Sequence, residues 1–150
     1  MGVEHLRAFL RSHNRVALDT SIFIYQLEIN AQYFPLSDVV FAWLGEGEHV
    51  AVTSTLTLTE LLVPAYREGN ERRIQTYYGL LGTYPNLTWV PPTLEVADLA
   101  ARLRATYRLK TPDAIQAATA VHSEASAFIT NDSIFKRLRE LHCLVLDDLL

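Results

Sequence analysis

Five short runs of β-branched and aliphatic residues recur along the chain: Arg15–Asp19, Val50–Ser54, Leu87–Val90, Ala127–Thr130 and Cys143–Leu146. They do not alternate between apolar and polar positions, which predicts strands buried on both faces rather than strands with one wet side. The segments between them carry apolar residues at helical spacing. Thr93 precedes Leu94, Val96, Ala97, Leu99, Ala100 and Leu103, and Pro112 stands just inside a helix predicted to run to about Glu124, where its missing N–H costs nothing. Strand and helix therefore alternate, and that order predicts the α/β class: a three-layer α/β/α sandwich around a mostly parallel five-stranded sheet, connected by right-handed crossovers.

Val3, Leu6, Phe9 and Leu10 form one apolar stripe ahead of the first strand, which predicts an amphipathic helix over 3–12 as an N-terminal extension within residues 1–14. The chain has no internal repeat, low-complexity tract or linker. Gly45-Glu46-Gly47-Glu48 and Pro91-Pro92 read as turns, so residues 1–150 are expected to form a single domain. Pro64, four residues after Glu60, predicts a bend in the helix that follows the second strand.

Composition narrows the function classes. At 150 residues and 49% hydrophobic, the chain can bury a core without disulfides. The one cysteine, Cys143, lies in an apolar run and reads as a small buried hydrophobe rather than a nucleophile. No window is apolar enough for a membrane helix and the N-terminus lacks a signal-like apolar region, so a soluble, cytoplasmic protein with no membrane partner is expected. A net charge of −4 argues against gripping nucleic acid through overall charge. Ten of the thirteen basic residues nevertheless fall in three stretches: Arg67, Arg72 and Arg73; Arg102, Arg104, Arg108 and Lys110; Lys136, Arg137 and Arg139. Taken alone, these read first as solvated helix faces. The five histidines, His5, His13, His49, His122 and His142, show no metal-ligand spacing.

The acids carry the chemistry. In parallel α/β sheets, ligands bind at the carboxyl ends of strands, above all where strand order reverses. Asp19 closes the first run and Asp132 follows the fourth, so both are expected at one edge. Glu60 lies in the first turns of the helix leaving the second strand, and Asp113 lies in the first turn of the helix feeding the fourth. Each also has an ordinary structural reading: Asp19 and Asp132 as N-caps, Asp113 as a partner of the helix dipole, and Thr57-Leu58-Thr59-Glu60 as a capping box. Crowded carboxylates must hold protons or share a cation. All-oxygen ligation without histidine or cysteine suits Mg2+ or Mn2+ rather than zinc, and phosphodiester hydrolysis is the natural chemistry of such a site.

Four segments carry a resemblance: Leu18-Asp19-Thr20-Ser21 with Ile22 and Ile24, Thr57-Leu58-Thr59-Glu60-Leu61-Leu62, Thr111-Pro112-Asp113-Ala114-Ile115-Gln116-Ala117-Ala118, and Ile129-Thr130-Asn131-Asp132-Ser133-Ile134-Phe135. In this order they resemble the PIN-domain nucleases, in particular the VapC-type toxin ribonucleases. The resemblance implies an α/β/α fold with a five-stranded parallel sheet. It also implies an endoribonuclease in which Asp19, Glu60, Asp113 and Asp132 hold Mg2+ or Mn2+ and a metal-activated water cuts RNA. Thr20, Thr130 and Asn131 are expected as auxiliary polar groups that orient a carboxylate, a water or a phosphate. A protein antitoxin and a homodimer are further implications. The chain departs from the family pattern at Ile134, where many members carry another acid, which weighs against a second tightly held metal. It departs again in the residues preceding the first strand.

Three competing readings make different demands. A non-catalytic PIN-like interaction module predicts loss of at least one of the four acids, and all four are present. A haloacid-type phosphatase needs an acid two residues after Asp19, where Ser21 stands, and a DNA flap nuclease needs insertions for which this length leaves little room.

Overall fold

The computed structural model describes residues 2–150; Met1, the first residue of the expected extension, lies outside them. Helix α1 (Gly2–Arg11) precedes strand β1 (Arg15–Leu18), α2 (Thr20–Leu27) and α3 (Phe34–Gly45). Strand β2 (Val50–Ser54), α4 (Thr55–Arg67) and α5 (Glu71–Leu81) follow. The chain continues through β3 (Leu87–Val90), α6 (Leu94–Tyr107), α7 (Thr111–His122) and β4 (Ala127–Thr130). It closes with a 3-10 turn over Ser133–Arg137, β5 (Cys143–Val145) and a second 3-10 turn over Leu146–Leu149.

All strand pairings are parallel, in the order β3-β2-β1-β4-β5. The chain winds outward from β1 through β2 to β3, then returns to add β4 on the other side of β1. The order therefore reverses between β1 and β4, where Leu18 lies opposite Ile129. Successive residues point to opposite faces, and the core divides accordingly. Val16, Leu18, Ala127 and Ile129 pack with residues of α1 to α5, whereas Ala17 and Phe128 pack with Val96, Leu103, Ala117 and Phe135 on the other side. These two cores on either side of one sheet make the expected three layers.

The differences from the sequence reading are local and have physical causes. The outer strands β3 and β5 are only partly covered, because each has one neighbour instead of two. Asp19 and Leu146 leave their strands: Asp19 N-caps α2, and Leu146 opens a 3-10 turn. Helix α4 begins earlier than a capping box at Thr57 requires. Its N-cap is Ser54, whose side chain accepts a hydrogen bond from Leu56 N at 3.1 Å, and this leaves Thr57 inside the helix and fully buried. The helix also runs on through Pro64 to Arg67. Helix α1 lays Leu6 and Leu10 into the core, and its first residue approaches the C-terminal turn so closely that a Cβ on Gly2 would stand 2.0 Å from Leu149 O. Only glycine fits there.

Candidate active site

The four acids sit at one end of the sheet, on the elements the sequence assigns to them. Asp19 follows β1 at the reversal of strand order, and its backbone N–H still donates to Ile129 O of β4 at 3.0 Å. Its carboxylate is held at both oxygens: Thr20 N donates to Oδ1 at 2.8 Å, and Thr130 Oγ1 donates to Oδ2 at 2.6 Å. Thr130 also accepts from Asp132 N at 3.1 Å, so one buried hydroxyl at the end of β4 fixes the approach of two acids. Asp132 N-caps the following 3-10 turn through Ile134 N at 3.0 Å. Glu60 reaches across from α4 and accepts from Thr20 Oγ1 at 2.7 Å. Asp113 occupies the first turn of α7.

Electrostatics binds these placements together. Burial pushes the Asp19 carboxyl up to about 6; the hydrogen bonds from Thr130 and Thr20 oppose the rise, and the charges of Asp113 and Glu60 add to it. Asp113 is also raised, first by burial and then by the charges of Asp132 and Glu60, with Lys110 pulling the other way. The acids thus repel one another across a common space. As their side chains stand, no three of the His, Cys, Asp and Glu residues described here close on a single point that would cage a metal ion.

The donor set nevertheless fits a hard divalent cation. Every candidate ligand is a carboxylate oxygen, the mutual repulsion is of the kind a cation relieves, and hydroxyls behind Asp19 and Glu60 hold these two carboxylates in place, as outer partners would in a metal site. Asn131 works elsewhere. Its amide donates to Tyr25 OH at 2.9 Å and accepts from Asp147 N at 2.8 Å, tying the turn after β4 to α2 and to the C-terminal 3-10 turn.

Sequence reasoning missed Thr53, Thr57 and Gln116, which stand buried behind the acids. Gln116 Nε2 donates to Thr57 Oγ1 at 2.9 Å and to Thr20 Oγ1 at 3.2 Å, and Thr53 and Thr57 share a 2.7 Å hydrogen bond. The available signal was a polar side chain on the alanine-rich inner face of α7.

The basic clusters are partly spent on surface pairs. Arg73 binds Glu28, Glu68 and Tyr77, Arg102 pairs with Asp98, and Lys136 pairs with Asp148. Cys143 donates its thiol to Phe135 O at 3.2 Å, and burial raises it to about 11, consistent with an inert packing residue. No helix among the described residues is long and apolar enough to cross a membrane.

A family model described as PIN domain matches residues 16–141, a range that leaves α1 outside it. No curated protein matches the chain. Among solved structures, the fold is similar to VapBC2 from Rickettsia felis bound to a DNA fragment from their promoter, with 18% identity and a TM-score of 0.68, covering 87% of this chain and 98% of that one. It is similar to a toxin-antitoxin complex from Klebsiella pneumoniae, with 23% identity, a TM-score of 0.64, and 87% and 97% covered. DNA-bound VapBC from Salmonella typhimurium gives 18% identity and a TM-score of 0.66, with 88% and 98% covered. At these identities the likeness is one of fold.

Proposed function

The chain belongs to the PIN domain family, and from that premise we propose that it is a Mg2+- or Mn2+-dependent endoribonuclease, the toxin of a toxin-antitoxin pair. One observation carries the proposal: Asp19 lies at the reversal of strand order with its carboxyl pushed up to about 6, within reach of the charges of Asp113 and Glu60. A protein that needed only helix caps there would have no reason to gather like charges. Asp19, Glu60, Asp113 and Asp132 are the residues that would hold the ion. When bound, such an ion polarises a phosphoryl oxygen and lowers the pKa of a coordinated water towards neutrality.

The chain's own groups do the rest. Thr130 and the Thr20 N–H hold the Asp19 carboxylate in one orientation, and the Thr20 hydroxyl holds Glu60. Partial burial of Asp19 and Asp113 thins the water around the reacting phosphate and strengthens local electrostatics. Lys110, whose charge is felt at Asp113, would be the nearby cation to meet a substrate phosphate in this reading. The likeness to solved toxin-antitoxin complexes supports a protein antitoxin as partner, and a homodimer working on RNA in the cytoplasm completes the reading.

The test uses purified wild type and Asp19→Asn, both shown folded and free of any copurifying inhibitor. They are incubated with structured and single-stranded RNAs in Mg2+, in Mn2+ and in excess chelator. Cleavage that needs the ion and disappears in the variant is the expected outcome. A wild type that binds no divalent ion and cuts none of the panel sinks the proposal, and the non-catalytic PIN-like interaction module becomes the better account.

A further inference from the structure

Behind the acids runs a chain of buried hydrogen bonds whose donor direction is fixed at both ends. Leu18 O can only accept, so Thr53 Oγ1 spends its proton there, at 2.9 Å. Thr57 must then donate to Thr53 at 2.7 Å, which leaves Thr57 Oγ1 free to accept from Gln116 Nε2 at 2.9 Å. At the other end, the Glu60 carboxylate takes the proton of Thr20 Oγ1 at 2.7 Å, and Thr20 in turn accepts from Gln116 Nε2 at 3.2 Å. A hydroxyl has one proton and a primary amide nitrogen has two, so the Gln116 NH2 satisfies both threonines without competing for either proton. Were an acceptor in its place, the Thr20 proton would be drawn away from Glu60.

Thr20, Thr53, Thr57 and Gln116 are all buried, at 7%, 1%, 0% and 3% exposure. Apolar side chains could fill that space without the cost of desolvating polar groups, so stability alone gives no reason for four polar ones. The one place where the chain of bonds leaves the core is Glu60, an exposed residue. The chain joins β2, α2, α4 and α7, and α2, α4 and α7 are the helices beside which Asp19, Glu60 and Asp113 stand.

We propose that Gln116 is a positioning residue: through the Thr20 hydroxyl it orients the Glu60 carboxylate as a metal ligand, and through Thr57 and Thr53 it locks that orientation to the end of β1. This rests on the reading of the acids as a divalent-ion site. It assigns Gln116 no contact with substrate or with the ion.

The test is Mn2+ binding followed by electron paramagnetic resonance, alongside RNA cleavage and thermal melting. The proteins compared are the wild type, Gln116→Leu, Gln116→Glu, Thr57→Val and Thr57→Ser. Leu103→Ala, on the α6 side of the sheet, serves as a control for lost stability without loss of this network. Gln116→Leu and Thr57→Val are expected to weaken Mn2+ binding roughly tenfold or more, the usual range for outer-shell partners. Gln116→Glu is expected to be at least as weak despite its matching shape, because it competes for the Thr20 proton. Thr57→Ser is expected to recover most of the loss, and Leu103→Ala to melt earlier while binding Mn2+ as the wild type does. Folded Gln116→Leu and Gln116→Glu that bind Mn2+ as tightly as wild type overturn the positioning role alone. A wild type that binds no Mn2+ overturns it together with the ribonuclease reading.

Discussion

Strands β1 and β4 carry polar groups at both of their ends, and the two ends behave differently. At the N-terminal end, Ser126 donates to Arg15 O through its backbone and its hydroxyl, and His13 Nδ1 meets the same hydroxyl at 2.7 Å. The His13 ring packs 4.5 Å from Phe9 and 5.9 Å from His142, and burial with the neighbouring His142 lowers its pKa, favouring the neutral ring. At the C-terminal end, Thr130, Asp19 and Asp132 are hydrogen-bonded too, yet like charge remains. Hydrogen bonds finish the first end; at the second they leave the charges of Asp113 and Glu60 raising Asp19, and those of Asp132 and Glu60 raising Asp113. Unsatisfied charge, rather than polarity, separates a candidate site from an ordinary strand terminus.

The most severe way to break this contrast is to neutralise one acid. Asp19→Asn keeps a good N-cap and should fold. Cleavage in single-turnover assays should nevertheless fall by about a thousandfold or more, since positioning a Lewis acid contributes several kcal/mol to a phosphoryl reaction. His13→Ala, at the other end, should leave the rate within about twofold; a comparable loss there would erase the distinction.

The pH dependence of stability sharpens the contrast, because the two ends should respond in opposite senses. Asp19 is raised from 3.8 to about 6 in the fold, so the folded state holds its proton more tightly than the unfolded chain does. Its adverse effect is absent below pH 3.8, grows as the pH rises, and is complete above about 6, where it reaches at most about 3 kcal/mol. Metal-free wild type should therefore lose urea resistance between pH 4 and pH 7 through this group, Asp19→Asn should not, and Mg2+ should restore the loss at pH 7. His13, lowered in the fold, works the other way: its cost appears as pH falls below its ordinary value of 6.5. A flat urea midpoint in the wild type, matched by Asp19→Asn, would contradict the account of the acids.

Smaller effects follow from the hydroxyls. Thr130→Val removes the donor to Asp19 Oδ2 and should weaken Mn2+ binding by roughly ten- to a hundredfold, with Thr130→Ser much closer to wild type. Ser126→Ala at the opposite end should change stability by about 1 kcal/mol and leave cleavage untouched, as read from melting and rate measurements.

What the sequence disclosed follows from these same physical differences. Parallel strands buried on both faces read as unbroken apolar runs, and an acid directly after such a run, as at Asp19, marks a strand end. The helix Leu94–Tyr107 with its Thr93 cap was legible because cap and periodicity agree. Thr57 was misleading: three residues before Glu60 it imitates a capping box, although Ser54 already caps the helix. Gln116 was silent, since a polar residue on a helix reads as solvent-facing until the neighbouring elements bury it. Asn131 lies inside the motif, but its hydrogen bonds to Tyr25 and Asp147 depend on chain distant in sequence.

The sheet order also sets a timetable. Translation delivers the N-terminal portion of a chain first. Here β1 acquires β2 as a neighbour early, but β4 reaches its other side only after α5, α6 and α7 exist, and the bond from Thr130 to Asp19 spans 111 positions. A nascent chain stalled before Thr130 therefore carries three of the acids and no finished centre. If the proposed ribonuclease activity needs all four acids, it is expected to be withheld from the ribosome and message producing the chain until synthesis is nearly done. Ribosome-bound chains arrested before and after residue 132 and challenged with RNA would show whether cleavage begins only in the longer set.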